Sequence, residues 1–301
     1  HDPEKSVNAY NTLKDWGMQV LVGSVTSTPC IAVVEKSQED NIFQLTPSGT
    51  AVDCVKYDNA FRMCFSDPSQ GLESAKYIGE NALATKVAVI YDASDTYSTG
   101  IYNAFRTEAE NQNIEIVSAE QFTADSKTDF SVQVSAAKNA GAELLYMPFY
   151  YAEASLVLAE CKKQSYEPVF FGVDGMDGIL TVENFDASLA ENLMYMAPFV
   201  ANSDDEQVKS FVTKYQEKYN EIPNQFAADA YDCVYVVKAA MEAAGVTADM
   251  DASAICDAMV GAMTGLTYDG ITGKGISWEA SGEPNKAPLI VQIKDGEGTA
   301  L

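Results

Sequence analysis

The chain has 301 residues, and 47% of them are hydrophobic, which is enough for one large core or two medium ones. Its 44 acidic residues against 19 basic ones give a net charge of −25, which argues against binding to nucleic acid or to anionic lipid surfaces. The only histidine is His1, so we expect neither a catalytic histidine nor a histidine metal site.

Short β-branched runs alternate with amphipathic segments along the first two thirds of the chain. Alternation of this kind predicts an α/β fold, with parallel sheets covered by helices on both faces. The predicted strands are 20–22, 42–45, 86–91, 114–117, 144–147 and 169–171. A helix is predicted after Pro29, ending at about Glu39, and further helices are predicted at 97–111, 130–139 and 152–163. After residue 200 the predicted helices are 204–219, 227–244 and 252–263, followed by strands at 276–278 and 289–293.

Ligands of parallel sheets bind where the carboxyl ends of strands lead into helices. The loops after the first two predicted strands, 26–28 and 46–50, are rich in hydroxyls. Later loops carry aromatic rings at 92–97 and 148–151, and the last one carries the carboxylate of Asp174. Hydroxyls beside a helix start suit a carboxylate, and an aspartate suits an ammonium, so the loops predict a site for a small organic molecule with both groups.

Several motifs resemble the branched-chain amino-acid-binding proteins of ABC transporters, the Leu/Ile/Val-binding type. The matching segments include Asp2 to Lys5, Gly23 to Ser27, Thr46 to Thr50, Asp67 to Gly71 and Gly172 to Gly175. The resemblance implies a type I periplasmic-binding fold, in which two interleaved, doubly wound α/β lobes are joined by three crossovers. It also implies a binding protein rather than an enzyme, with no cofactor, no metal and no catalytic residue.

The resemblance places one lobe at 1–68 plus 200–285 and the other at 69–199 plus 286–301. His1 aligns with the start of the family's second helix, which implies that the first lobe lacks the family's first strand, helix and second strand. Those strands would lie in the middle of the first lobe's sheet. The sequence therefore predicts a sheet with a gap at its centre.

The family's ligand-contacting positions match six residues of this sequence: Ser27, Ser48, Thr50, Tyr97, Tyr150 and Asp174. The resemblance implies that the serines and the threonine bind the ligand's carboxylate and ammonium, that the tyrosines line the cleft, and that the acid pairs with the ammonium. Asp174 stands where the family has a glutamate, one methylene longer. Pro148 and Phe149 replace small residues, which predicts a reshaped side-chain pocket.

Each of these positions also has a purely structural interpretation. Ser27 or Thr28 precedes Pro29 and suits a helix cap, and Asp174 precedes a glycine and suits a turn. Cys54 and Cys64 flank a short polar stretch, so a small disulfide loop and two buried thiols both stay open.

The sequence predicts capture of a free amino acid, aliphatic or branched-chain in type, for delivery to an ABC permease. A ligand-sensing domain and a binder of a small amide or carboxylate are the alternatives. The resemblance further implies an extracytoplasmic monomer, either in the periplasm or as a cell-surface lipoprotein. The start of the sequence has no basic-then-apolar pattern, so we expect that any export signal has been removed or lies upstream.

Overall fold

The structure, a computed structural model, describes all of residues 1–301. In chain order the elements to residue 122 are α1 (Pro3–Trp16), β1 (Val20–Val22), α2 (Ser27–Glu39), β2 (Phe43–Thr46), β3 (Ala60–Arg62), α3 (Asp67–Glu80), β4 (Lys86–Asp92), α4 (Thr96–Asn111) and β5 (Glu115–Phe122). Next come α5 (Ser131–Asn139), β6 (Leu144–Met147), α6 (Tyr151–Lys163), β7 (Val169–Gly172), β8 (Met194–Ala197), α7 (Glu206–Tyr219), α8 (Gln225–Ala244) and α9 (Ala252–Met263). The last elements are β9 (Thr267–Tyr268), β10 (Ile276–Ser277), β11 (Leu289–Lys294) and β12 (Glu297–Ala300).

The chain forms two compact units, each built from separate stretches of sequence. The first unit contains residues 1–66 and 203–287, and the second contains residues 67–202 and 288–301. The chain therefore passes from one unit to the other three times, after residues 66, 202 and 287. The sequence prediction placed these passages after residues 68, 199 and 285.

A parallel sheet of three strands, in the order β1-β2-β3, organises the first unit. The predicted gap at the centre of this sheet is wrong, because the three strands are direct neighbours. In this unit each connection returns the chain beside the strand just completed, as is common for sequential strands, so β1 pairs with β2 and β2 with β3. Phe43 of β2 stacks on Phe61 of β3 with ring centroids 5.5 Å apart, and both rings pack in a core with α8 and α9.

A seven-stranded sheet in the order β12-β11-β8-β7-β6-β4-β5 organises the second unit. The strands β4, β5, β6, β7 and β8 are parallel to one another. At one edge of the sheet β11 pairs antiparallel with β8, and β12 pairs antiparallel with β11. Along β4, Val87 and Val89 enter one buried cluster while Ala88 and Ile90 enter another. Successive side chains of a strand point to opposite faces, so this sheet is covered on both sides, as the apolar run predicts.

The α/β class predicted from the sequence is confirmed, and the structure adds six elements that the patterns did not show. They are α1, β3, α3, β8, β9 and β12. None of the helices is both long enough and apolar enough to cross a bilayer. All six cysteines are buried thiols, so the suggested disulfide between Cys54 and Cys64 is not formed.

Candidate functional site

Three of the predicted ligand-binding residues lie in the first unit, and we call Ser27, Ser48 and Thr50 the hydroxyl set. Ser27 is the first residue of α2 and follows β1, while Ser48 and Thr50 are in the loop that follows β2. Because β1 and β2 are neighbouring parallel strands, their carboxyl ends lead these residues to the same edge of the sheet. All three residues are buried.

The structure brings Ser27 and Thr50 together. Their hydroxyl oxygens are 3.4 Å apart, and the backbone N–H of Ala51 donates to the Ser27 hydroxyl at 3.1 Å. The residue at the cap position of α2 is Thr26, and its side chain makes no capping hydrogen bond. The suggested capping role of Ser27 is therefore wrong, because its hydroxyl contacts the loop after β2 and not its own helix.

Ser48 differs from the other two members of the hydroxyl set. Its side chain is 5% exposed, yet its hydroxyl oxygen has no hydrogen-bond partner in the structure. A buried hydroxyl that lacks a partner costs about 1–3 kcal/mol relative to a paired one. The hydroxyl set therefore contains a buried group that is able to donate to a ligand.

Arg62 fixes the shape of the loop that carries Ser48 and Thr50. This side chain is fully buried, and its guanidinium donates to the carbonyl oxygens of Gly49 at 2.9 Å and Ala51 at 3.0 Å. An ion pair of 3.1 Å with Glu283 balances its charge. A guanidinium has five donors in a fixed plane, so it can hold two carbonyls at a defined spacing.

The other three predicted residues lie in the second unit, and we call Tyr97, Tyr150 and Asp174 the acidic set. They follow β4, β6 and β7, which are consecutive neighbours in the seven-stranded sheet. The chain runs from β4 to β5 on one side and later places β6 on the other side of β4. Such a reversal of strand order leaves a crevice at the carboxyl ends of the strands, where α/β sheets bind ligands.

The structure brings all three members of the acidic set together. The Tyr97 hydroxyl donates to Asp174 Oδ1 at 2.5 Å, and the N–H of Gly175 donates to the Tyr97 hydroxyl at 2.9 Å. The rings of Tyr97 and Tyr150 stack with centroids 4.7 Å apart. A β-carbon at position 175 would lie 2.7 Å from the Tyr97 hydroxyl, so this approach requires glycine.

Burial keeps the Tyr97 phenol protonated. Desolvation, followed by the negative charge of Asp174, raises the pKa of Tyr97 well above its usual value of 10. The phenol is therefore a hydrogen-bond donor to the carboxylate at neutral pH. Asp174 is itself 2% exposed, so the acidic set presents a buried carboxylate that one neutral donor already orients.

Gln70 of α3 orients the backbone of Asp174. The N–H of Asp174 donates to Gln70 Oε1 at 3.0 Å, which fixes the amide because only its oxygen accepts. The Gln70 side chain is fully buried, and its Nε2 has no hydrogen-bond partner in the structure. Gln70 therefore adds a buried N–H donor next to the residue that carries the carboxylate.

Comparison with known proteins agrees with this geometry. The periplasmic binding protein family matches residues 1–298. The chain belongs to this family. It is 30% identical over 260 residues to the Leu/Ile/Val-binding protein homolog 3 of Brucella melitensis, which covers 84% of this chain and 68% of the relative. The resemblance to the Leu/Ile/Val-binding type is thus confirmed.

Two solved structures of periplasmic binding proteins are similar to the whole chain. One is the branched-chain amino acid transporter substrate binding protein LivJ of Streptococcus pneumoniae in complex with isoleucine, with a TM-score of 0.87 and 25% identity over 100% of this chain and 85% of that one. The other is a solute binding protein of R. palustris in complex with benzoate. It has a TM-score of 0.88 and 17% identity, and the match covers 100% of this chain and 81% of that one. The latter likeness concerns the fold alone.

The chain spans about two thirds of the length of the curated periplasmic binding proteins that it matches first, at 68%, 65% and 68%.

Sequence reasoning named the six residues of the two sets, but it missed Arg62 and Gln70. For Arg62 a signal was present, because an arginine at the end of an apolar strand indicates a buried, paired charge. No sequence signal links Gln70 to Asp174, which lies 104 positions further on.

Proposed function

We propose that the protein is an extracytoplasmic solute-binding protein that captures a free amino acid and delivers it to an ABC permease. The observation that carries this proposal is the difference in chemistry between the two sets. One set consists of neutral hydroxyls, and the other contains a buried carboxylate. A free amino acid is the small ligand that needs both.

In this proposal the hydroxyl set binds the carboxylate of the amino acid. The Ser48 hydroxyl has no partner within the protein, and the Ser27 and Thr50 hydroxyls are adjacent at the start of a helix of 13 residues. The first N–H groups of a helix have no acceptor inside the helix and carry a partial positive charge. Neutral donors next to such a helix start bind an anion without adding a formal charge.

The acidic set binds the ammonium. Asp174 accepts a hydrogen bond from the Tyr97 hydroxyl, and its buried carboxylate supplies the negative charge that an ammonium needs. The stacked rings of Tyr97 and Tyr150 provide an apolar surface beside the carboxylate. We propose that the side chain of the amino acid lies in a pocket that Pro148 and Phe149 help to shape.

A simple carboxylate is the second candidate ligand, because the benzoate-bound protein of R. palustris has a similar fold. The buried carboxylate of Asp174 argues against it here. A ligand that is only an anion has nothing to offer this carboxylate, and two negative charges in a poorly solvated site repel one another. The relatives named for leucine, isoleucine and valine binding also support the amino-acid assignment.

A thermal-shift panel tests the proposal. It comprises the twenty amino acids, their des-amino analogues and benzoate, each at a concentration far above the expected dissociation constant. A ligand at 100 times its dissociation constant stabilises the protein by about 2.7 kcal/mol. We expect a shift with at least one aliphatic amino acid and none with its des-amino analogue at the same concentration. A larger shift with benzoate or with the des-amino analogue would contradict the proposal.

A further inference from the structure

Two of the six buried thiols lie together directly behind the hydroxyl set. Cys30 is on the first turn of α2, and Cys54 is in the short 3₁₀ turn Val52–Val55 that follows the loop after β2. Both side chains are fully buried, and they form a small cluster with Ala51. A β-carbon at Gly49 would lie 3.1 Å from each sulfur atom, so the two sulfurs flank the same glycine.

The two thiols also interact with each other. A hydrogen bond from Cys54 lowers the pKa of the Cys30 thiol, with smaller contributions from the Thr46 hydroxyl and the charge of Arg62 against the opposing effect of burial. The thiolate is the reactive form of cysteine. By contrast, burial raises the pKa of both Cys161 and Cys256 to about 12. Cys30 is thus better suited to act as a nucleophile than these two.

We propose that Cys30 and Cys54 are the site of a reversible disulfide that ties together the two loops of the hydroxyl set. The oxidant is a small-molecule or protein disulfide. The Cys30 thiolate attacks it, forms a mixed disulfide and releases one thiol. Cys54 loses its proton, attacks the Cys30 sulfur and releases the second thiol. Two electrons and two protons therefore leave the cysteine pair, and the oxidant becomes two thiols.

The position of the pair explains what the disulfide does. Cys54 Sγ lies 3.7 Å from the carbonyl oxygen of Ser27, and Ser27 itself contacts Thr50. A covalent bond between α2 and the turn after Thr50 would hold this pair of hydroxyls at a fixed spacing. Because both thiols are fully buried, the oxidant reaches them during folding or when the loop opens.

Refolding of the full chain in a buffer of oxidised and reduced glutathione tests the proposal. The remaining thiols are then alkylated, and the peptides are mapped by mass spectrometry without reduction. We expect one cross-linked peptide pair that joins Cys30 to Cys54. The bond closes a loop of about two dozen residues, for which chain entropy predicts a melting temperature about 6–12 °C higher than that of the reduced protein.

Two variants separate the effect of this bond from that of other thiols. Cys54→Ala removes the partner and is expected to abolish both the cross-link and the redox-dependent shift. Cys64→Ala, another buried cysteine of the same unit, is expected to retain both. The wild-type map decides the question even if a variant fails to fold. Absence of the Cys30–Cys54 peptide, a different pairing, or a cross-link that gives no gain in melting temperature would overturn the proposal.

Discussion

The hydroxyl set and the acidic set are held in place by different means. In the hydroxyl set the important contacts involve the backbone: the N–H of Ala51 donates to Ser27, and Arg62 holds the loop through its carbonyls. In the acidic set the carboxylate of Asp174 is oriented by a side chain, the buried phenol of Tyr97. The first set is neutral at every pH of interest, whereas the second contains a charge and a titratable donor.

This difference predicts that the two sets respond differently to mutation. A neutral hydroxyl contributes one hydrogen bond, and its loss leaves a modest deficit. A buried carboxylate that has lost its charge leaves the opposite charge of the ligand without a partner, and this deficit is larger. The predictions below use this contrast.

Replacement of Asp174 by asparagine is expected to have the largest effect. The substitution keeps an oxygen that accepts from Tyr97 but removes the charge that pairs with an ammonium. Loss of one partner in such a pair costs roughly 2–5 kcal/mol of binding free energy. The affinity is therefore expected to fall by a factor of about 30 or more. Calorimetry with the amino acid and with its des-amino analogue measures the effect. The difference in affinity between these two ligands is expected to be smaller in the variant than in the wild type.

Asp177→Asn is the matched control for this prediction, because Asp177 is in the same loop and its Oδ1 accepts a hydrogen bond of 3.4 Å from Tyr195. We expect it to leave the affinity unchanged. If Asp174→Asn leaves the difference in affinity between the amino acid and its des-amino analogue unchanged, Asp174 is only a turn residue.

Ser27→Ala is expected to have the next largest effect, on the neutral side of the comparison. It removes the hydroxyl that we propose as a donor to the ligand's carboxylate, at an expected cost on the order of 1.5–3 kcal/mol for a bond to a charged group. The amino acid and its des-amino analogue share this carboxylate, so both are expected to lose affinity by the same factor in calorimetry.

Ser37→Ala serves as its control, since Ser37 is buried on the same helix and bonds to Gln44 at 2.6 Å. It is expected to lower the stability without a change in affinity. An affinity loss in Ser37→Ala as large as that in Ser27→Ala would mean that α2 transmits a general disturbance.

Gln70→Met tests whether the acidic set depends on backbone positioning as well. The change keeps the length of the side chain but leaves the N–H of Asp174 without its acceptor, at a cost of about 1–3 kcal/mol in the free energy of unfolding. Urea unfolding measures this loss. Calorimetry is expected to show a larger loss of affinity for the amino acid than for the des-amino analogue, and equal losses would assign Gln70 a purely structural role.

Alkaline pH is expected to destabilise the second unit through its buried phenols. Burial raises the pKa of Tyr146 in β6 well above 10, so above pH 10 the unfolded chain releases a proton that the folded chain keeps. The contribution of this protonated phenol to the free energy of unfolding is fully present below pH 10. Above pH 10 it is lost at about 1.4 kcal/mol per pH unit for each such tyrosine.

The slope of the unfolding free energy between pH 10 and 12 measures this effect. Tyr146→Phe is expected to reduce this slope by the amount that one buried tyrosine contributes. Tyr219→Phe is the control, because Tyr219 is 53% exposed. Equal slopes in the wild type and in Tyr146→Phe would contradict the assignment.

The positions of the two sets could be predicted from the sequence to a useful degree. Ser27, Ser48 and Asp174 each follow a recognisable strand, and a strand end is a local feature that the residue pattern reveals. The contacts that hold these residues were not predictable in the same way. Arg62 and Gln70 act on residues that only the folded sheet brings near them.

The sequence by itself determined the alternation of strands and helices, the family and the chemistry of the strand-end loops, because these depend on neighbouring residues. The tertiary structure alone decided the strand order, and it corrected the expected gap between β1, β2 and β3. It also decided that Cys54 lies beside Cys30 and not bonded to Cys64. The physical reason is the same in both cases. Pairing between distant parts of a chain depends on how whole elements pack, and no local pattern of residues records that packing.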